Sequence, residues 1–411
     1  MLPLQVDARR HGKGAISPKR PPVETAGLAD IFPYYAGFSF DWACSELKRH
    51  AGEDRRVVLD PWNGSGTTTL AAQHDGHVSV GVDLNPVANV IAQARCQLNG
   101  RVLPSVPPVK FSRKIVRSDD PLFNWFDQDT TSRFRDWTKS LGRAPKSRSI
   151  PGILAIFRVT RRLTKTFEGS NPTWIKRAKD DDSRLSIPFD ILDEQIVREI
   201  EILLPRLRSL RKDLPEASIL TASASQLPLA DSSIDLILTS PPYLTRIDYG
   251  VAYARELAVL GIDVFRDRTL RSGLMGTTLI RPTREYGPGF GRVASDLLDG
   301  ISKHESKASS GYYLKQAKQY MLDLTAGFDE LSRVAKIDAY ACLVVQDSYY
   351  KDIPVPLADI CIDEATRRGW SLKTLEPFPV IRSLMTMNRS AREYTKGEVA
   401  ESVITLQRVR D

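Results

Sequence analysis

The stretch 56–72, RVVLDPWNGSGTTTLAA, restricts the fold more than any other part of this sequence. Three apolar residues, Val57–Leu59, predict a buried strand that ends at Asp60. Gly64 and Gly66 then bracket a tight loop, and a threonine-rich helix follows. A strand, a glycine-rich turn and a helix in this order predict an α/β domain whose backbone approaches a ligand at the helix N-terminus.

The chemistry of this turn indicates the class of ligand. Its glycine spacing is not the GxGxxG of dinucleotide folds, and the Gly-Lys-Ser/Thr of a P-loop is missing from it. Asp60 stands at the strand end, where it would repel a phosphate. An acid beside a glycine-rich turn suits a zwitterion with a methionine amino group and a sulfonium. A nicotinamide dehydrogenase is therefore disfavoured.

A second predicted strand, Val78–Val82, ends at Asp83, 17 residues after the last glycine of the loop. An acid at this place holds a ribose diol in folds of this kind. Pro86 then suits the first turn of a helix, and Val87–Leu98 has helical periodicity. Asp83 alone could be a helix cap, but together with Asp60 and the glycine loop it predicts ligand binding.

A third feature is the string Thr239–Tyr243, TSPPY, which follows the apolar run Ile234–Leu238. The run predicts a buried strand. The two prolines fix φ and lack an N–H, so the backbone leaves the sheet stiff and extended, with its carbonyls available as acceptors. Ser240 adds a hydroxyl and Tyr243 a flat face. These groups suit a planar ring with an exocyclic amine; the alternative is an ordinary strand-to-loop exit.

Composition limits the class of protein. The chain has 411 residues, 42% of them hydrophobic, which allows one large domain with insertions or two domains. Its net charge of +8 and pI near 9.2 fit an acidic partner. The four cysteines show no CxxC spacing, which argues against a zinc site or disulfide framework and fits a reducing cytoplasm. No apolar run approaches the roughly 18 residues of a membrane span.

The chain divides into four predicted parts. Residues 1–30 are basic and rich in proline and glycine, and they predict a flexible arm. Residues 31–100 form the first, cofactor-binding part of the α/β domain. Residues 216–411 form its second, catalytic part, in which the loop 262–311 is the candidate for target recognition. Between these parts, 101–215 lack the α/β rhythm and predict a helical insertion.

The insertion carries most of the positive charge. Arg133–Lys179 contains 13 lysines and arginines and two acids, a local charge of 13 − 2 = +11, against +8 for the whole chain. Aromatic residues are interleaved. Charge runs are usually solvated faces, but this asymmetry indicates a phosphate backbone as partner, and we expect the segment to clamp nucleic acid.

The two ends of the α/β region also carry predictions. Ile31–Leu47 has six aromatic residues in its first twelve. They predict either core packing before a helix capped near Ser39 or Asp41, or a lid against a flat ligand. At the other end, Val399–Arg408 reads as a strand that we expect to close the sheet as its antiparallel edge.

These motifs resemble those of the DNA amino-methyltransferases, the cytosine-N4 and adenine-N6 methylases of bacterial restriction–modification systems. DPWNGSGTTTLAA and TSPPY carry the resemblance, GVDLNP and RIDY support it, and looser agreement covers most of 31–410. The resemblance implies a Rossmann-like, seven-stranded α/β methyltransferase fold with S-adenosylmethionine as donor. One departure lies at Ser223–Ser225, after the third strand, where family members often have an acid.

The resemblance also implies the site residues. The catalytic group is expected to comprise Ser240, Pro241, Pro242 and Tyr243. The residues expected at S-adenosylmethionine are Tyr35, Phe38, Ser39, Asp60, Pro61, Gly64, Ser65, Gly66, Thr67, Thr68, Asp83, Leu84, Asn85 and Ser225. The basic insertion and the irregular stretches after Tyr243, and not the resemblance, supply the residues expected at double-stranded DNA, which are Arg161, Arg162, Lys165, Arg246, Arg281 and Arg284. No metal site is expected.

The activity implied is transfer of a methyl group to the N4 amine of a flipped cytosine in DNA. The Ser-Pro-Pro-Tyr form is typical of cytosine-N4 enzymes, whereas Asp-Pro-Pro-Tyr is typical of many adenine-N6 enzymes. Adenine-N6 methylation, RNA base methylation and a catalytically silent DNA-recognition subunit stay as alternatives. Ring-carbon methylation is excluded, because it needs a cysteine nucleophile and the chain has no Pro-Cys dipeptide. A cognate restriction endonuclease and a bacterial or archaeal cytoplasm are the expected context.

Overall fold

A mixed β-sheet forms the centre of the protein. The computed structural model describes residues 17–20, 28–34, 37–52, 54–98, 109, 116–169, 174–210, 213–244, 247–282, 289–379 and 399–410. Within these ranges the sheet has seven strands: β1 Val57–Asp60, β2 Val78–Val82, β3 Ala217–Leu220, β4 Ile234–Thr239, β5 Ala335–Gln346, β8 Trp370–Pro379 and β9 Ala400–Arg408. Their order across the sheet is β3-β2-β1-β4-β5-β9-β8. A separate hairpin pairs β6 Ser348–Tyr350 with β7 Ile353–Val355.

The five neighbouring strands β3, β2, β1, β4 and β5 run parallel to one another. Strand β9 is antiparallel to both of its neighbours, β5 and β8. The expectation that the last strand closes the sheet as an edge is wrong. Tyr340 of β5 pairs with Gln407, and Trp370 of β8 pairs with Arg408, so β9 lies between these strands and β8 forms the edge. The predicted Rossmann-like α/β methyltransferase fold is confirmed by this sheet order.

Helices cover both faces of the sheet. One face carries α1 Phe40–Ala51, α2 Thr67–His74 and α3 Pro86–Cys96, which pack on residues such as Val58 and Leu236. The other face carries α10 Arg292–Lys303, α11 Leu314–Val334 and α12 Leu357–Thr366, which pack on Leu59 and Ile237. Neighbouring residues of β1 and β4 thus enter opposite cores, as the twofold alternation of a strand requires.

The insertion forms a third hydrophobic core beyond α3. Its helices are α4 Gln128–Gly142, α5 Lys146–Leu163 and α6 Phe189–Arg208, joined by α7 Tyr249–Ala252 and α8 Ala254–Val259, which follow β4 in the chain. Val87 and Ile91 on α3 belong to this third core, whereas Ala92 and Cys96 on the same helix belong to the sheet core. Because α3 is shared, the insertion is anchored to the part of the chain that precedes it, residues 31–100.

Two segments differ from their predictions. Residues 1–30 were expected to form a flexible arm, which is wrong for 17–20: Lys19 bridges to Phe38, and Ser39 N donates to Pro18 O at 2.9 Å. In the loop 262–311, α9 Thr269–Gly273 is short, but α10 buries Leu297 and Leu298 in the core on the sheet. No helix in the part of the chain that the structure describes is long and apolar enough to span a membrane.

Candidate active site

A pocket opens at the carboxyl ends of β1, β2, β3 and β4. From β1 the chain proceeds outward to β2 and β3 on one side, and β4 and β5 then follow on the other side of β1. The direction of winding therefore reverses between β1 and β4, and open α/β sheets bind their ligands at such a point. Both predicted motifs line this one pocket. The predicted residues in its wall are Phe38, Asp60, Pro61, Gly64, Ser65, Thr67, Asp83, Leu84, Asn85, Ser225, Ser240, Pro241, Pro242, Tyr243 and Arg281.

Asp60 connects the two motifs. It is 3% exposed, and its Oδ1 accepts a hydrogen bond from Thr239 Oγ1 at 2.6 Å and another from Trp62 N at 3.1 Å. Thr239 is the last residue of β4 and directly precedes Ser240. The carboxylate at the end of β1 therefore fixes the point at which the Ser-Pro-Pro-Tyr segment leaves the sheet.

Asp83 holds the glycine loop. Its Oδ2 accepts from Gly64 N at 2.9 Å and its Oδ1 accepts from Asn85 N at 2.8 Å. Asn89 Nδ2 donates to the Asp83 carbonyl at 2.9 Å and to Thr221 Oγ1 at 2.8 Å, which ties the ends of β2 and β3 together. Each carboxylate oxygen can accept a second hydrogen bond, so Asp83 retains capacity for a ligand hydroxyl.

Burial raises the pKa of Asp60 to about 6, although hydrogen bonds from Thr239 and from the backbone N–H of Trp62 lower it. Burial likewise raises the pKa of Asp83 to about 6, opposed by the backbone N–H groups of Asn85 and Gly64. Two carboxyl groups of raised pKa that line one pocket indicate a site built to receive positive charge.

The glycine loop needs its glycines for two reasons. Gly66 has φ of +82° and is the N-cap residue of α2, a conformation that side chains rarely adopt. A Cβ on Gly66 would also lie 2.9 Å from Ala92 Cβ on α3. Arg95, 1% exposed on α3, donates to Ser65 O at 2.7 Å and to Thr67 Oγ1 at 3.2 Å, which supports the loop from below.

Gly66→Ala is expected to destabilise the protein by about 1–3 kcal/mol, because it adds both backbone strain and overlap with α3. Chemical denaturation measures this change. Gly142→Ala is the matched control, since a Cβ there meets nothing within 4 Å and the residue ends a helix. Equal stability of the two variants would show that the loop has room for a side chain.

The Ser-Pro-Pro-Tyr segment is held from two sides. Ser240 Oγ and Tyr243 OH lie 3.3 Å apart, so the tyrosine folds back towards the serine. Tyr320 OH on α11 donates to the Pro242 carbonyl at 2.8 Å. That carbonyl is therefore engaged by the protein, and the predicted amine acceptors are Ser240 Oγ and the Pro241 carbonyl.

Some predicted cofactor residues lie elsewhere. Ser39 does not line the pocket; its Oγ accepts from Trp42 N at 3.2 Å and caps α1, as one of the two sequence interpretations proposed. Thr68 is fully buried and donates to Leu238 O at 2.9 Å, below the pocket. Gly66 likewise lies outside the wall. Tyr35 falls outside the described residues.

The sequence interpretation missed an aromatic stack beside the glycine loop. Tyr34 stacks on Tyr253 with ring centroids 5.0 Å apart and on Tyr249 at 6.2 Å. Tyr34 and Tyr249 line the pocket, and a Cβ on Gly64 would lie 2.8 Å from the Tyr34 ring. The aromatic density of 31–42 was the available signal for Tyr34, whereas nothing in the sequence placed Tyr249 against it.

Asp248 organises the loop over the pocket. Its Oδ2 accepts from Arg271 Nη2 at 2.8 Å, from Thr278 N at 3.0 Å and from Thr278 Oγ1 at 2.9 Å. Burial raises the pKa of Asp248, but the hydrogen bonds from Arg271 and Thr278 outweigh burial, so the net pKa is lowered. The ionised carboxylate thus fixes the segment that brings Leu274 and Met275 into the pocket wall.

The predicted DNA-contacting arginines of α5 are engaged within the protein. Arg161 Nε donates to Glu256 at 2.8 Å, and Arg162 Nη1 donates to Glu199 at 2.8 Å. Glu256 and Glu199 are buried and lie outside the segment whose charge was counted as +11. Arg161, with 13% of its side chain exposed, is placed to neutralise Glu256 and not to meet a phosphate.

The other predicted DNA contacts divide into three groups. Lys165 is exposed and makes no ion pair among the residues that the structure describes. Arg281 lines the pocket and pairs with Asp323. Arg246 and Arg284 fall outside the described ranges.

Comparison of the sequence with known proteins finds methyltransferases. The chain is 25% identical over 389 residues to the type II methyltransferase M.BsoBI of Geobacillus stearothermophilus, with 79% of this chain and 75% of that protein covered. It is 22% identical over 404 residues to the type II methyltransferase M.AvaI of Nostoc sp., with 85% and 80% covered. The chain is a relative of the type II methyltransferases. The family resemblance carried by the two motifs is thereby confirmed.

Two other comparisons add little. No protein-family model matches the chain. Among solved structures, the chain is similar to a geranyl diphosphate C-methyltransferase of Streptomyces coelicolor, at 8% identity and a TM-score of 0.33, with 89% of this chain and 78% of that one covered. A similarity at that level carries no argument, so the fold assignment rests on the sheet order.

The pocket of this chain fits the predicted cofactor, S-adenosylmethionine. Asp60 and Asp83 line the pocket, where they would provide negative charge for the ammonium and sulfonium groups of the cofactor and acceptors for its ribose. The loop after β3 presents Ser223 and Ser225 where many family members have an acid, and their hydroxyl groups lie 2.8 Å apart. The adenine of the cofactor would therefore meet hydroxyl groups there.

Affinity for S-adenosylmethionine is expected to rise with pH through about 6. The pKa values of Asp60 and Asp83, raised by burial from 3.8 to about 6, leave both carboxyls partly protonated below that pH. A cationic ligand favours the ionised forms, whereas the ligand-free fold loses stability as pH rises from about 4 to 6. Calorimetry at pH 5.5 and 7.5 should show several-fold weaker binding at the lower pH. Equal affinities would contradict this electrostatic role.

Proposed function

We propose that this protein is a site-specific DNA methyltransferase of a restriction–modification or related defence system. It transfers a methyl group from S-adenosylmethionine to the N4 amine of a cytosine flipped out of the duplex. The type II methyltransferase relatives support methyl transfer to DNA. Preference for cytosine rests on Ser240 at the first position of the Ser-Pro-Pro-Tyr segment.

One observation carries the proposal. The hydrogen bond from Thr239 Oγ1 to Asp60 joins the predicted amine-binding segment to the predicted cofactor loop at 2.6 Å. Ser240 and Asp60 consequently line the same pocket. A methyl donor and an amine acceptor can meet directly only if their binding groups share one cavity, and this geometry provides it.

The chain's residues act by position. S-adenosylmethionine supplies an electrophilic methyl group on its sulfonium. Ser240 Oγ and the Pro241 carbonyl accept hydrogen bonds from the exocyclic amine, which favours a pyramidal nitrogen and directs its lone pair towards the donor. Tyr243 provides a face on which the flipped base stacks, worth about 1–3 kcal/mol. Ser240 is a weak base, so its role is orientation, and the proton leaves the nitrogen after transfer.

The test is the chemical identity of the product. DNA from cells that express the protein is sequenced with a readout for modified bases, and purified protein is given duplexes that contain the site found, with labelled S-adenosylmethionine. Digestion to nucleosides should yield labelled N4-methylcytosine. Labelled N6-methyladenine as the only product would replace cytosine by adenine. Absence of transfer and of cofactor binding would favour a silent recognition subunit.

A further inference from the structure

The pocket has a charged pair on the wall formed by α11. Asp323 on α11 and Arg281 on the loop between α9 and α10 both line the cavity that holds Ser240 and Asp60. Tyr320, three residues before Asp323, donates to the Pro242 carbonyl, and a Cβ on Gly327 would lie 2.9 Å from Trp62. Because these positions share one side of the helix, Asp323 lies along the wall between the amine-binding segment and the residues that follow Asp60.

The loop that carries Arg281 is fixed in place by its backbone. Gln319 Oε1 accepts from Arg281 N at 2.8 Å, and Gln319 Nε2 donates to Leu279 O at 2.9 Å. Gly276 in the same loop approaches the Tyr243 carbonyl, where a Cβ would lie at 3.6 Å. The loop is thus held against both α11 and the Ser-Pro-Pro-Tyr segment by contacts that do not involve the Arg281 guanidinium.

The guanidinium of Arg281 is only partly engaged. Its Nη2 donates to both carboxylate oxygens of Asp323 at 2.6 Å and to Gln319 O at 3.4 Å. Among the described residues, Nε and Nη1 make no hydrogen bond. A guanidinium has five N–H groups in a planar fork, so three remain for a ligand. The side chains of Arg281 and Asp323 are 30% and 17% exposed, which keeps the fork accessible from the pocket.

We propose that Arg281 reads the ring edge of the target base by donating to N3 and O2 of cytosine, while Asp323 aims its guanidinium. This inference rests on the proposed function and adds a specificity-determining residue to it. Ser240 and the Pro241 carbonyl accept from the amine, and the adjacent Watson–Crick edge of the same base is left for Arg281. Enzymes that flip a base read that edge by hydrogen bonds.

The geometry favours cytosine over adenine. Next to its amine, cytosine presents two neighbouring acceptors, N3 and O2, which match the fork of a guanidinium. Adenine presents N1 followed by C2–H, so one donor of the fork would lose its partner on leaving water. A desolvated donor without a partner is unfavourable, which makes the fork selective.

The test is a cycle between protein variants and base analogues. Duplexes carry at the target position cytosine, 3-deazacytosine, which lacks N3, or an aminopyridine C-nucleoside, which lacks O2. Wild type, Arg281→Ala, Arg281→Lys and Asp323→Asn are compared by kcat/KM with labelled S-adenosylmethionine. Arg333→Ala is the matched control, because Arg333 also pairs with an aspartate and has a similar 32% of its side chain exposed, but lies outside the pocket wall.

Wild type and Arg333→Ala should lose roughly 10- to 100-fold in kcat/KM on at least one analogue. On cytosine, the kcat/KM of Arg281→Ala should already be lower than that of the wild type by the same factor. Replacing cytosine by the same analogue should then lower the kcat/KM of this variant little further. Arg281→Lys keeps the charge beside Asp323 but not the fork, so it should retain folding and show reduced coupling. Asp323→Asn should weaken turnover on cytosine while retaining part of the analogue effect.

Equal analogue effects in wild type and in both Arg281 variants would overturn the inference and leave the pair as a support for the loop. Insensitivity of the wild type to both analogues would also overturn it. In either case, N4-methylcytosine formed by the wild type would leave the proposed function intact. A wild type that methylates only adenine would reject the cytosine assignment and this reading of Arg281 together.

Discussion

Ser240→Ala is expected to slow methyl transfer by about 100-fold and to leave S-adenosylmethionine binding unchanged. The substitution removes one acceptor for the target amine, so the nitrogen is no longer oriented in the pocket, and misplacement of this kind affects rate strongly. The groups that meet the cofactor stay in place, because Thr239 and not Ser240 donates to Asp60. Single-turnover kinetics measure the rate, and calorimetry measures cofactor affinity.

Ser233→Ala is the matched control for this variant. Ser233 immediately precedes β4, at the end of the strand opposite to Ser240. Its Oγ donates to Ala230 O at 2.7 Å, away from the pocket. Its turnover should equal that of the wild type. A Ser240→Ala variant with full turnover would remove Ser240 from the catalytic group and leave the prolines and Tyr243 to hold the base.

Ser240→Asp extends the same experiment to the choice of base. The change converts the segment to the Asp-Pro-Pro-Tyr form that is typical of many adenine-N6 methylases. If the first residue of the segment contributes to base choice, the variant should gain activity on adenine at the expense of cytosine. Nucleoside analysis of the product separates the two outcomes, and an unchanged product would assign base choice to other residues, such as Arg281.

Asp60→Asn is expected to lower affinity for S-adenosylmethionine by about 10- to 100-fold while making the ligand-free protein more stable. Burial raises the pKa of Asp60 to about 6. At pH 8 the carboxyl group is ionised, and keeping that charge buried lowers the stability of the ligand-free fold. A neutral amide avoids that penalty, which is about 1–3 kcal/mol. The amide oxygen of the asparagine can still accept the hydrogen bond from Thr239 Oγ1.

The two effects have opposite signs, and that separates a binding role from a structural one. Thermal unfolding at pH 8 should show a higher midpoint for Asp60→Asn without ligand and a smaller increase on adding S-adenosylmethionine. Asp235→Asn is the control, since Asp235 accepts from Val57 N at 2.8 Å at the opposite end of the same strands. It should bind the cofactor normally. A less stable Asp60→Asn with unchanged affinity would mean that Asp60 only holds Thr239 in place.

Local chemistry explains why much of the site could be predicted. Val57–Asp60, the following glycine loop and Val78–Val82 were predicted within a residue of their observed bounds, because each combines a short apolar run with a residue that ends it. Parallel strands bring their carboxyl ends to one edge of the sheet. Residues that end neighbouring strands, Asp60, Asp83 and Ser240, could therefore be expected to meet.

The charge of the insertion was predicted less well. A count over Arg133–Lys179 finds an excess of +11 but cannot show which acids from other segments pack beside these arginines. In the structure, three acids, Asp193 and Glu199 on α6 and Glu256 on α8, form ion pairs with four of these arginines. Buried ion pairs between distant segments leave no periodic signal, so a run of like charges overstates the free charge of a surface.

By itself, the sequence determined the segments that carry the candidate functional residues: the glycine loop after Asp60, the acid after β2 and the Ser-Pro-Pro-Tyr string. Each depends on backbone freedom, burial or hydrogen-bonding capacity over a few consecutive residues. The tertiary structure alone decided that β9 lies inside the sheet, that Tyr34 stacks on Tyr249 and that Arg281 enters the pocket beside Asp323. These contacts join residues far apart in the chain, and only packing of the whole fold brings them together.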